Sequence, residues 1–235
     1  MEKSKEKFTI NDNTVSAVAQ LAEDRFVSFL GNEKAKRRIL IIGNSITRHG
    51  PKADIGWHGD FGMAASAEEK DYVHLLAGRI LEKEDACIMV HQLSMWEHTV
   101  SEMGQDYSAE RALPLAEASR AFAPDLLIFR LGENIKTPTD EGGRARLEKA
   151  FSDLVSYINP RRVLFTTCFW KHGILDEAIR ELARKMGMPL VELSDLGEDD
   201  AYMAVGLFAH GGVAHHPGDL GMATIAERIY GAMEK

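Results

Sequence analysis

Short apolar runs and longer amphipathic stripes alternate along most of the chain. Five runs, at residues 38–43, 86–93, 125–131, 163–169 and 190–193, are rich in Ile, Val, Leu and Phe. That is the composition of strands buried on both faces. Between them Val73, Leu76, Ala77, Ile80 and Leu81 recur at helical spacing, entered through a capping-box pattern at Ser66 and Glu69. Leu147, Phe151, Leu154, Val155 and Ile158 form a second stripe, and Ile174, Ala178, Ile179 and Leu182 a third. A fourth, starting near Gly218, carries Met222, Ile225, Ala226, Ile229 and Met233. Strands alternating with helices predict right-handed βαβ units. The expected fold is α/β: a three-layer α/β/α sandwich of flavodoxin-like type around a parallel five-stranded sheet. Val15, Val18, Ala19, Ala22, Phe26 and Phe29 also have helical spacing. Residues 1–35 are therefore expected to form a helical extension packed on one domain spanning 36–235.

Residues 46–65 fit neither period, yet include Trp57, His58, Asp60 and Phe61. A long aromatic connection of this kind predicts a pocket wall, with Trp57, His58 and Phe61 as candidate substrate contacts.

Charge narrows the partners. The formal net charge is −8, so nucleic acid is not an expected partner. No apolar stretch is long enough for a membrane helix. The opening MEKSKEKFTI has no apolar signal core, which favours the cytoplasm unless residues ahead of it have been trimmed. Cys87 and Cys168 each lie in an apolar run and read as buried free thiols.

In open parallel sheets, ligands bind beyond the carboxyl ends of the strands. Successive strands here are followed by Gly43-Asn44-Ser45, by Ser94-Met95-Trp96-Glu97-His98, by Gly132-Glu133-Asn134 and by Trp170-Lys171-His172. The stretch HGGVAHHPGD, residues 210–219, then leads into the last helix. A serine, an amide and several histidines thus reach one edge of the sheet.

In that order the residues resemble the SGNH (GDSL-like) hydrolases, a family of esterases and acylhydrolases with this α/β/α fold. Gly43-Asn44-Ser45 resembles the Gly-Asp-Ser block, Gly132-Glu133-Asn134-Ile135 the Gly-x-Asn-Asp block, and Val213-Ala214-His215-His216-Pro217 the Asp-x-x-His-Pro block. The resemblance implies Ser45 as nucleophile and His216 as its base. The oxyanion would be held by the Ser45 N–H, a backbone N–H near Trp96, and Asn134. The implied substrate is a small-molecule ester: loss of a small acyl group, such as acetyl, from a hydroxylated compound such as a carbohydrate, with no cofactor and no metal.

Three departures stand out. No glycine stands near Ser94 to Trp96, where the family's second block has one, though a backbone N–H there can still serve. Asn44 replaces an aspartate, a change expected to be mild. Val213 stands where the family has its orienting acid, so His216 needs another acceptor. Glu97 is the preferred substitute, a backbone carbonyl the second choice, and Glu133 the third.

Two other classes fit parts of the chain. His58, His210, His215 and His216 with Asp54, Asp60 or Asp219 could ligate a metal. Alternatively, a decayed triad would leave a non-catalytic binding protein on the same fold.

Overall fold

The computed structural model describes residue 21 and residues 24–140 and 142–233. Six strands form one sheet: β1 (Val27–Gly31), β2 (Arg37–Gly43), β3 (Ala86–Gln92), β4 (Leu126–Phe129), β5 (Arg162–Thr166) and β6 (Leu190–Val191), in the spatial order β1-β3-β2-β4-β5-β6. The five expected strands are all present and mutually parallel. The sixth, β1, runs antiparallel to β3 along the edge. The sheet is therefore mixed and six-stranded, not five-stranded and parallel throughout.

The helices are α1 (Tyr72–Leu81), α2 (Ser94–Met103), the short α3 (Ala109–Ala112) and α4 (Glu117–Phe122), α5 (Gly143–Ile158), α6 (Gly173–Met186), the short α7 (Gly211–Ala214) and α8 (Asp219–Met233). Their apolar stripes cover the two faces of the sheet. Side chains of successive strand residues point to opposite faces, so Leu40, Ile42, Leu127 and Phe129 join Trp96, Phe151 and Ile179 in one core. Ile39, Ile41, Leu126 and Ile128 join Tyr72, Leu76, Ile225 and Ile229 in the other. This two-sided burial is what makes the strands read as unbroken apolar runs.

Two local expectations change. Most of the proposed N-terminal helical stripe lies outside the described residues, but Phe29 sits in β1 and Phe26 in the turn before it. The helix α1 is capped by Asp71, whose carboxylate accepts from the His74 N–H at 2.7 Å. Ser66 instead gives both its N–H and its hydroxyl to Asp219, each at 2.8 Å.

The order of the strands locates the crevice. From β2 the chain reaches β3 through α1 on one face, then β4 on the other side of β2 through α2–α4 on the opposite face. The topology therefore switches at the carboxyl end of β2, where an open α/β sheet leaves a cleft. Gly43-Asn44-Ser45 stands at that point.

Candidate active site

Ser45 follows β2 in a single tight turn rather than at a helix start, with the N–H groups of Thr47 and Arg48 donating to the Asn44 carbonyl at 2.9 and 3.0 Å. The turn needs a glycine before it. A Cβ on Gly43 would lie 1.8 Å from Thr47 Oγ1, far inside any contact distance, and a tight 3.1 Å from the Arg130 carbonyl.

Half-buried, Ser45 places its Oγ 2.8 Å from His216 Nε2. The other ring nitrogen, Nδ1, lies 2.6 Å from the Gly212 carbonyl. A carbonyl can only accept, so Nδ1 carries the hydrogen and Nε2 offers its lone pair to the serine. The ring of Trp170 packs edge-on against His216 with centroids 5.1 Å apart. Burial lowers the His216 pKa to about 4; His49 and Arg130 add to this and the Gly212 carbonyl opposes it. At neutral pH the imidazole is an uncharged base. His215 points elsewhere: it is exposed, and its Nδ1 lies 2.6 Å from the Gly211 carbonyl.

Glu97 is not the partner of His216. It is wholly buried on α2 and accepts from Asn44 Nδ2 at 3.1 Å, the Gly132 N–H at 2.5 Å and Asn134 Nδ2 at 2.7 Å. The backbone carbonyl of Gly212 occupies the role first assigned to it. Glu133 faces the same buried cluster, accepting from Asn44 Nδ2 at 2.6 Å, the Phe169 N–H at 3.1 Å and Arg130. Arg130 is fully buried and also donates to Asn44 Oδ1 at 3.3 Å. Burial pushes the Glu97 carboxyl up to about 7, helped by the nearby Glu133 carboxylate and opposed by its three N–H donors. Val213, where an orienting acid was sought, is buried with Trp57, Met63, Ala64 and Ala204.

Trp96 also moves out of the site. Its ring is buried against Phe151, with centroids 6.0 Å apart. Its backbone N–H is committed to the Leu93 carbonyl at 2.9 Å. The first-turn N–H groups of a helix have no partner within it, and here the first residue of α2, Ser94, lines the cavity that Ser45, Asn134 and His216 share.

That cavity has a volume of about 400 Å³. The 46–65 connection does form part of its wall, through His49, Lys52, Ile55 and Met63, and not through Trp57, His58 or Phe61. Trp57 is instead the anchor of that connection: it is buried, stacks edge-on with Phe61 at 5.1 Å and donates its Nε1–H to the His49 carbonyl at 2.8 Å.

Among the described residues no three His, Cys, Asp or Glu side chains converge as metal ligands. Asp60 is held by Arg48, and Asp219 by Ser66 and Lys70. Both cysteines are free and buried.

Two features of the site were open to a closer reading. In SMWEHTVSEM, Glu97 falls on the same helical stripe as Trp96, Val100 and Met103, which marks a carboxylate facing inward. Arg130 lies between Phe129 and Leu131 at the end of an apolar strand, which marks a buried cation.

No family model matches the sequence, and no curated protein does. Solved structures do match in shape. A lipase/acylhydrolase from Enterococcus faecalis superposes with a TM-score of 0.58 at 13% identity, over 84% of this chain and 95% of that one. A protein described as a GDSL-like lipase, from Parabacteroides merdae, gives 0.52 at 17% identity, over 85% of this chain and 97% of that one. A two-domain esterase active on acetylated mannans gives 0.51 at 18% identity, over 84% of this chain and 48% of that one. The chain has the fold of the SGNH (GDSL-like) hydrolases.

Proposed function

We propose that the protein is a serine esterase that removes a small acyl group, acetyl in the first instance, from a hydroxylated substrate such as a carbohydrate. The observation that carries this reading is the 2.8 Å contact between Ser45 Oγ and His216 Nε2, with the Gly212 carbonyl fixing the tautomer. An alcohol is too weakly acidic to attack an ester unaided, and a neutral imidazole at this distance supplies the missing base. Ser45 Oγ adds to the ester carbonyl as its proton passes to Nε2. The tetrahedral oxyanion is met by the N–H groups of Ser45 and Ser94 and by the Asn134 amide. His216 then returns the proton to the departing alcohol, and water repeats the cycle to release the acid. The unit is a serine–histidine dyad oriented by a carbonyl. The open cavity of about 400 Å³, lined by apolar side chains such as Ile55 and Met63 and by polar ones such as Lys52 and Gln92, suits a short acyl chain on a hydroxylated compound. The mannan-active esterase with the same fold makes an acetylated sugar the natural first substrate to try.

A serine-directed phosphonate tests the chemistry directly. Labelling mapped by mass spectrometry is expected at Ser45. An unlabelled Ser45 would leave a binding protein on a hydrolase fold.

The pH profile gives a second check. A base must be uncharged to take a proton, so activity is lost as pH falls through the pKa of His216. With that pKa lowered to about 4, the final loss of hydrolysis is expected near pH 4. Complete loss already near 6.5, the ordinary histidine value, would contradict the buried neutral base.

A further inference from the structure

The buried cluster beneath the cavity has no part in the dyad, yet it touches the site at one atom. We infer that Glu97 is a positioning residue: its buried carboxylate fixes which end of the Asn134 amide faces the oxyanion, and so sets the turnover rate without touching substrate. The inference rests on the oxyanion role proposed for Asn134.

A side-chain amide can be turned end for end at little cost unless its neighbours decide between donor and acceptor. Glu97 makes that decision. Once ionised, above about pH 7, its Oε2 can only accept, and Asn134 Nδ2 lies 2.7 Å away, so the nitrogen end is held in place. One of the two Nδ2 hydrogens is taken by Glu97. The second remains for the cavity, which Asn134 lines together with Ser45. The reversed amide would set its oxygen against the carboxylate and remove the donor from the oxyanion. Glu97 is itself held from two other directions, by the Gly132 N–H at 2.5 Å and Asn44 Nδ2 at 3.1 Å. Gly132 brings the chain within reach at a φ of +141°, where a Cβ would lie 2.7 Å from Cys168 Sγ. Asn44 in turn precedes the nucleophile, so a single carboxylate ties the residue beside Ser45 to the amide across the cleft.

The charged and titratable groups around Glu97 are Glu133 and Arg130 from the segment after β4 and the Cys168 thiol from the segment after β5. Its other neighbours, Asn44, Asn134 and the Gly132 N–H, do not titrate.

A mutant cycle at about pH 9, where Glu97 is ionised, tests the assignment, with kcat counted per phosphonate-titrated site so that misfolded protein drops out. Asn134→Ala is expected to lower kcat roughly 100- to 1,000-fold with little change in KM, the effect of a lost oxyanion donor. Glu97→Gln, which can present its own amide hydrogens to Asn134, is expected to lower kcat at least about 10-fold. Added to Asn134→Ala, the same change should cost no more than about 2-fold, because both act through one group. A full, multiplicative loss in the double variant would overturn the positioning role while leaving the oxyanion reading intact. An Asn134→Ala enzyme with undiminished kcat would overturn the oxyanion reading and this inference with it. Should Glu97→Gln yield no titratable sites, Glu97→Asp, which keeps the charge but withdraws it by one methylene, enters the same cycle with the same criteria.

Discussion

Ser45→Ala is expected to abolish hydrolysis of an activated acetyl ester, by roughly four to six orders of magnitude in kcat, while the protein melts as before. The side chain makes its hydrogen bond to His216, and the local turn is held by main-chain bonds, including Met63 N–H to the Ser45 carbonyl at 2.9 Å, that alanine preserves. His216→Ala should be about as damaging. The double variant should be scarcely worse than either, because a nucleophile without its base and a base without its nucleophile are equally idle. His215→Ala should keep most activity, since that exposed ring faces the Gly211 carbonyl. Steady-state rates of the four proteins decide the matter. An active Ser45→Ala enzyme ends the nucleophile assignment, and a reversal of the two histidines moves the base by one position.

Asn44→Asp, which would reproduce the Gly-Asp-Ser block of the SGNH hydrolases that this stretch resembles, is expected to harm this protein. Asn44 Nδ2 donates to Glu97 and Glu133 together, at 3.1 and 2.6 Å, while its oxygen accepts from Arg130. Aspartate would turn that donor into a third buried carboxylate facing two others, with one arginine among them. An uncompensated buried charge costs about 3–5 kcal/mol near neutral pH. The sign of the pH dependence follows. Burial raises the new carboxyl's pKa above its unfolded value, so the penalty is absent below that unfolded value. It grows as pH rises and is complete above the folded pKa. Melting temperatures of the two proteins should therefore diverge from pH 4 to pH 8. Equal stability at pH 8, or a gap that does not change with pH, would refute the account. A change that looks mild in the sequence is bound to the cluster it feeds.

Legibility in the sequence followed burial. Strands covered on both faces gave continuous apolar runs, and all five of those were readable from Ile, Val, Leu and Phe. Strand β1 was not, because VSFLG is half-covered at the sheet edge and Phe26 and Phe29 fit a helical stripe equally well. Ser45, Asn134 and His216, which line one cavity, were legible as candidates because each lies in a short segment after a strand or before a helix. The group beside His216 Nδ1 was ranked second, behind Glu97, because it is a main-chain carbonyl, which every residue possesses and no pattern reveals. Trp57 was misplaced for a different reason: an aromatic in a long connection can line a cavity or anchor the connection, and only the packing with Phe61 and Val213 distinguishes the two.

The edge strand has one more consequence. Strand β3 is buried and apolar along nearly its whole length, and without β1 its outer row of N–H and C=O groups would be open to another chain. Such an edge is a template for intermolecular β-pairing and fibrous aggregation. β1 closes it with five residues and then stops at Gly31, which turns away at a φ of +81° where any Cβ would lie 2.4 Å from the Ala86 carbonyl. The edge that remains is a five-residue, half-covered strand, and so short an edge is a poorer template for another chain than the long apolar strand it covers.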